Sequence, residues 1–182
     1  GNGDKIFFFN SNSNISVWNY DLDSVAKDLA ISANGSYLVA GSDDNYIRLF
    51  DKDSSTPLWN YDAGDIVRSV AISVDGEYIT AGSEDDKVYF FDKGSSTPLW
   101  TYTTGGNVNE VDISADGQYI TSTCYYDGEI RFFSTSSSTP LWTSDTQSGG
   151  WVKTTSDGSN VLGVCGGSDG HATYWNRTSD GD

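Results

Sequence analysis

Apolar residues along this chain fall in short runs rich in aromatic and β-branched side chains, each run closed by a polar turn. Across residues 65–101 the runs predict four short strands, Ile66 to Ser73, Tyr78 to Gly82, Lys87 to Asp92 and Pro98 to Tyr102. Between the first two stands Asp75-Gly76, a dipeptide that supplies positive φ to a tight hairpin; Asn34-Gly35, Asp116-Gly117 and Asp157-Gly158 occur in the same setting. The second turn carries Asp43-Asp44, Asp85-Asp86, Asp127-Gly128 and Asp169-Gly170. A proline heads the fourth strand, where its missing N–H costs least if that strand is an outer edge.

The pattern is periodic. Trp18, Trp59, Trp100 and Trp142 are spaced by 41, 41 and 42 residues. The segment Asp53-Ser54-Ser55-Thr56-Pro57-Leu58-Trp59 returns as Gly94-Ser95-Ser96-Thr97-Pro98-Leu99-Trp100 and as Ser136-Ser137-Ser138-Thr139-Pro140-Leu141-Trp142. Four antiparallel strands in roughly 40 to 45 residues is the period of a β-propeller blade. One blade cannot bury both its faces alone, so the repeat predicts stacked blades with Phe8, Phe50, Phe91, Phe133 and Trp175 filling the gaps.

The stretch from Val67 to Ser83, VRSVAISVDGEYITAGS, resembles the first half of a WD40 repeat. Phe90-Phe91-Asp92 stands where that family places its Trp-Asp pair, as do Phe50-Asp51, Phe133-Ser134 and Trp175-Asn176. The second half of each repeat, through the Leu-Trp of the last strand, is closer to the quinoprotein-like (PQQ-like) propellers. The Gly-His dipeptide that WD40 places ahead of each repeat's first strand and the Gly before the docking Trp of quinoprotein repeats are both missing from those places. The resemblance covers nearly the whole chain and implies an all-β propeller of about four four-stranded antiparallel blades. Enzymatic quinoproteins need a cofactor cage with adjacent cysteines and calcium ligands; nothing here matches it, so no cofactor is expected.

Divided by period, the chain is one repeat region with a partial blade at 1–21, blades at about 22–62, 63–103 and 104–144, a partial blade at 145–177 and a tail at 178–182. It opens with a third and a fourth strand (Ile6 to Asn10, Ile15 to Tyr20) and closes with a first, second and third. The expectation is a part of a larger propeller, or two chains forming a homodimeric ring of about eight blades. A closed four-bladed monomer with one displaced strand is the third arrangement. The absence of Met and the Gly in first place read as a processed or cleaved start.

Charge narrows the partners. Ten Lys plus Arg against 26 Asp plus Glu give a net charge of −16, which repels a phosphate backbone and argues against nucleic acid. The acidity reads as a surface suited to salty or extracellular conditions and favours a cell-surface or extracellular setting. No run approaches the roughly 20 apolar residues of a membrane helix, so membrane insertion is not expected.

Candidate chemistry is sparse. His171 is the sole histidine and gives neither a triad nor a transition-metal site; no Walker loop, GxSxG or HExxH occurs. Asp43-Asp44-Asn45 and Glu84-Asp85-Asp86 are better explained by turns than by Ca²⁺. The sequence therefore predicts no enzyme and no metal site. Cys124 and Cys165 occupy equivalent positions of adjacent blades and read either as two buried thiols or as a disulfide. Asn14, Asn34 and Asn176 begin glycosylation triplets. The variable positions are the most informative: Lys27, Arg68, Asn109 and Trp151 are taken as one equivalent position near the start of each first strand, at the mouth of the central channel. Two cations, an amide and an aromatic there suggest a scaffold binding a protein or peptide, with a carbohydrate-binding propeller or a non-catalytic piece of a larger quinoprotein-like or WD40-like protein as alternatives.

Overall fold

A computed structural model of the chain describes residues 4–22, 24–146 and 150–164, together with the backbone of strand 172–176. The described residues form five antiparallel sheets in chain order. The first holds β1 (Lys5–Phe9) and β2 (Ser16–Asp21). Three four-stranded meanders follow: β3 (Ala26–Ile31), β4 (Tyr37–Ser42), β5 (Tyr46–Asp51) and β6 (Trp59–Asp62); then β7 (Val67–Ile72), β8 (Tyr78–Ser83), β9 (Lys87–Asp92) and β10 (Trp100–Thr103); then β11 (Val108–Ile113), β12 (Tyr119–Cys124), β13 (Glu129–Ser134) and β14 (Trp142–Asp145). The last sheet holds β15 (Trp151–Thr154), β16 (Asn160–Val164) and β17 (Ala172–Asn176).

The first strands β3, β7, β11 and β15 pack side by side along the inner edge, and the sheets fan out from them as propeller blades. Among the described residues no major packing joins β1 and β2 to the β15–β17 sheet, so the blades form an open arc and the closed four-bladed arrangement is not formed.

Each first hairpin is set by one hydrogen-bond pattern. Ser73 Oγ donates to Asp75 at 2.6 Å, the Asp75 carboxylate accepts the Glu77 N–H at 3.0 Å, and Ser73 Oγ accepts the Tyr78 N–H at 3.0 Å. Ser32, Asn34 and Tyr37 repeat it, as do Ser114, Asp116 and Tyr119. Gly76 sits at φ 77°, and a Cβ there would fall 2.6 Å from the Tyr37 ring of the preceding blade. The turn glycine is therefore required twice over, by its backbone and by the tyrosine lying on it.

The prolines lie two residues ahead of the fourth strands rather than inside them. Pairing starts at the next amide: Leu58, Leu99 and Leu141 each donate to the third strand at 2.7 Å, and the strands proper open at Trp59, Trp100 and Trp142. A proline cannot make that bond, which is why it stands one residue before it.

The blades are joined by three recurring devices. Indole N–H groups reach forward: Trp18 donates to the Lys52 carbonyl at 2.7 Å, Trp59 to Lys93 at 2.8 Å and Trp100 to Thr135 at 2.9 Å. The same rings pack on Phe50, Phe91 and Phe133 of the next blade at 5.3–5.7 Å. These phenylalanines are fully buried, and at about 1.5–3 kcal/mol each they dominate the cohesion between blades. On the inner strands, the Asp28 carboxylate accepts the Val70 N–H at 2.9 Å and the Ser69 hydroxyl at 3.1 Å. Ser69 Oγ accepts the Val111 N–H at 3.2 Å, and Asp112 accepts the Thr154 N–H at 2.7 Å.

The third device is polar and buried. On β5, Arg48 is only 5% exposed; its guanidinium forks onto Asp44 at 2.9 and 2.7 Å, donates to Ser42 Oγ at 3.0 Å and lies 5.7 Å from the centre of the Tyr20 ring in the preceding sheet. Arg131 repeats this on β13 with Asp127 and Glu129, below Tyr102. In the middle blade Tyr89 takes the place, its hydroxyl donating to Asp85 at 2.5 Å. Burial alone would push the Asp44 carboxyl up, but Arg48 and Ser42 outweigh it and hold it below its ordinary value.

Candidate functional site

The first strands carry a β-bulge at the same place in three blades, between Ala26 and Asp28, Val67 and Ser69, and Val108 and Glu110. Lys27, Arg68 and Asn109 are the extra residues of these bulges. A bulge turns its residue off the strand, and all three line one concavity of about 500 Å³ at the inner edge, together with Trp151.

Trp151 is not equivalent to them in register. It pairs with Val164, as Glu110 pairs with Thr123 and Asp28 with Gly41, and β15 has no bulge from Trp151 to Thr154. Gly150 holds the place of Asn109. The 42-residue interval between Trp100 and Trp142 arises from one extra residue in the β12–β13 turn, and the connection after Trp142 is shortened by one in compensation. Carrying 42 residues into the first strand therefore shifts the assignment by one position.

Electrostatically the concavity differs from a pair of free cations. Lys27 pairs with Asp43 at 2.9 Å and Arg68 with Glu84 at 2.8 Å. Lys153 bridges Glu110 at 3.0 Å and Asp112 at 3.5 Å. Burial pushes both of these carboxyls up against the pull of Lys153. Burial would lower the Lys153 ammonium, but Asp112 and Glu110 raise it on balance.

Beside the paired cations Lys27, Arg68 and Lys153, which are themselves exposed, the mouth presents open aromatic rings. Trp151 is 67% exposed, Tyr125 56% and Tyr126 71%. The tyrosines belong to the β12–β13 turn, and with Arg68, Asn107 and Asn109 they line a second pocket of about 230 Å³ that shares a wall with the first. Sequence reasoning passed over Tyr125 and Tyr126, although the extra residue that displaced the tryptophan interval was their signal. It also passed over Arg48 and Arg131.

The remaining candidates are scattered. Asn14 is exposed between β1 and β2. Asn34 is exposed in the β3–β4 turn, where its side-chain oxygen accepts from Ser32 and Ser36. Asn176 ends β17, where the backbone alone is described. Cys124 is a buried thiol whose Sγ donates to the Gly106 carbonyl at 3.0 Å, and burial pushes its ionisation up. Cys165 and His171 lie outside the described residues, so neither the disulfide nor the histidine is placed. Among the described residues no group of three or more His, Cys, Asp or Glu is arranged to hold a metal, and no helix is long and apolar enough to cross a membrane.

Solved structures share this architecture. Hydrazine synthase from Kuenenia stuttgartiensis superposes with a TM-score of 0.73 at 15% identity over 85% of this chain and 46% of that one. U3-55K gives 0.73 at 19% identity over 83% and 48%, and the RRP9 WD40 repeats give 0.72 at 19% over 82% and 47%. The chain thus spans about half the length of these propellers, and at such identities the likeness shows the fold alone. No curated protein matches the chain. The model of the PQQ-like repeat family described as outer membrane protein assembly factor BamB matches residues 1–160. With the forward-docking tryptophans and the 41-residue blade, that match shows that the chain belongs to this PQQ-like β-propeller family.

Proposed function

We propose that the chain is a non-enzymatic propeller scaffold that binds a protein or peptide partner at the inner-strand mouth, in an extracellular or cell-surface setting. The observation that carries this reading is Trp151, an indole 67% exposed at the edge of a concavity that also holds Lys27, Arg68 and Asn109. Exposed tryptophan flanked by arginine is the composition of an interface hot spot. Because Lys27 and Arg68 are already paired to carboxylates, they serve as fixed hydrogen-bond donors rather than as free charge. The net charge of −16 sets the partner's sign: a basic segment associates faster, and more so at low salt.

The test is selection from a displayed peptide library on the intact chain, followed by titration of the selected peptides against Trp151→Ala and Arg68→Ala. The expected result is a loss of at least about tenfold in affinity for Trp151→Ala. Selected peptides that bind both variants as tightly as the parent would place the interface elsewhere and overturn the reading.

A further inference from the structure

The β12–β13 turn is the one place among the three complete blades where the hairpin register carries an added residue. Glu84-Asp85-Asp86 fills the turn of the middle blade, and Tyr125-Tyr126-Asp127-Gly128 fills that of the next. The surroundings are adapted to the insertion. A Cβ on Gly106 would fall 2.8 Å from Tyr126, so only glycine leaves room for it. The Gly106 carbonyl is held by the Thr104 hydroxyl at 2.5 Å and by Cys124 Sγ at 3.0 Å, and the Tyr125 N–H donates to the Asn107 carbonyl at 3.0 Å. The two rings meet edge to face, 5.3 Å apart at 87°, and both stay open to solvent. Tyrosine side chains left exposed on a braced turn form a ready contact surface.

The pocket behind them has a definite chemistry. Its polar residues are Arg68, Asn107 and Asn109. Glu84 neutralises Arg68 at 2.8 Å and accepts from Asn107 Nδ2 at 3.1 Å. A phosphate or carboxylate ligand would have to displace Glu84 from the guanidinium, and a cationic ligand would meet Arg68. What remains is a wall of donors and acceptors with no surplus charge, facing two aromatic rings. A volume of about 230 Å³ lies below the usual range for drug-sized ligands and suits a single small ring. A neutral ring edged with hydroxyl groups and carrying an apolar face matches each of these properties.

We propose that the Tyr125–Tyr126 pocket binds one neutral sugar ring of a glycan, with the Tyr126 ring as its stacking face and Asn107 and Asn109 as hydrogen-bonding partners. The site adjoins the Trp151 concavity but does not rest on the peptide reading. The experiment is a screen of neutral and charged oligosaccharides on the intact chain, followed by titration monitored by NMR. Tyr126→Ala is expected to weaken the best neutral ligand by about tenfold or more, and Tyr126→Trp to retain it. Trp151→Ala should change sugar affinity less than about twofold while weakening peptide binding about tenfold or more, so that each site can fail separately. Because Tyr126 is exposed, urea melts of its variants should match the parent. The proposal is overturned if no neutral sugar binds at millimolar concentration, if charged sugars alone bind, or if Tyr126→Ala binds as tightly as the parent.

Discussion

The indole N–H of Trp59 donates to the carbonyl oxygen of Lys93 at 2.8 Å, across the gap between two blades, while its ring packs on Phe91 at 5.3 Å. One residue thus supplies both the apolar contact and the polar latch of a blade interface. Trp59→Phe removes the latch and keeps most of the packing. It is expected to cost about 1 kcal/mol, against about 3 kcal/mol or more for Trp59→Ala. Urea unfolding should show the midpoint falling with the slope unchanged; equal losses for the two variants would mean that the hydrogen bond, not the ring, holds the interface.

Arg48 and Asp44 form a second, buried latch, and the middle blade shows how it can be replaced. Arg48→Met leaves the Asp44 carboxylate without its guanidinium and is expected to destabilise by about 3–5 kcal/mol. Arg48→Tyr mimics Tyr89, whose hydroxyl already serves Asp85, and is expected to lose distinctly less. Chemical denaturation of both variants checks the order.

Stability against pH divides two groups of carboxyls. Glu110 and Asp112 have raised folded values, so the unfolded chain ionises them first; their contribution is fullest below the ordinary carboxylate range and is lost as pH rises through the folded values. Asp44 and Asp127 have lowered folded values, so their contribution is present above the ordinary aspartate value and lost as pH falls through the folded ones. Asp112→Asn, which keeps an acceptor for the Thr154 amide, should flatten the decline as pH rises above about 4, and Asp44→Asn the loss below about pH 4. Denaturation midpoints taken across that range give both slopes.

Two glycines separate backbone strain from crowding. Gly64 has φ 91° with open space around its Cβ position, whereas Gly117 has φ 70° with the Tyr78 ring 2.7 Å away. Gly64→Ala is expected to cost about 1–2 kcal/mol, and Gly117→Ala that amount plus about 1–3 kcal/mol of overpacking. Calorimetric melts should place the two variants in that order.

The architecture was legible because a blade repeats its own turn chemistry. Asp75-Gly76 and its counterparts mark hairpins through local backbone demands, which a sequence displays directly. The mouth was legible only in part. Lys27, Arg68 and Asn109 stand out by their variation, but their shared cause, a bulge, depends on pairing with β4, β8 and β12 and leaves no local mark. Trp151 was placed one position away because a compensated insertion and deletion are invisible to spacing alone. The aromatic partners of Arg48 and Arg131 were hidden for a related reason: Tyr20 and Tyr102 reach the guanidiniums from the neighbouring sheet, a contact between sheets that no strand pattern records.

Three bonds between inner strands run the same way along the chain. Asp28 receives Val70, Ser69 receives Val111 and Asp112 receives Thr154, so in each of the three a side-chain acceptor belongs to the earlier segment and the amide to the later one. Each of these later blades therefore finds, on the blade before it, the acceptor that an amide of its first strand needs. The propeller is built like masonry laid from one end, every course keyed to the one beneath it.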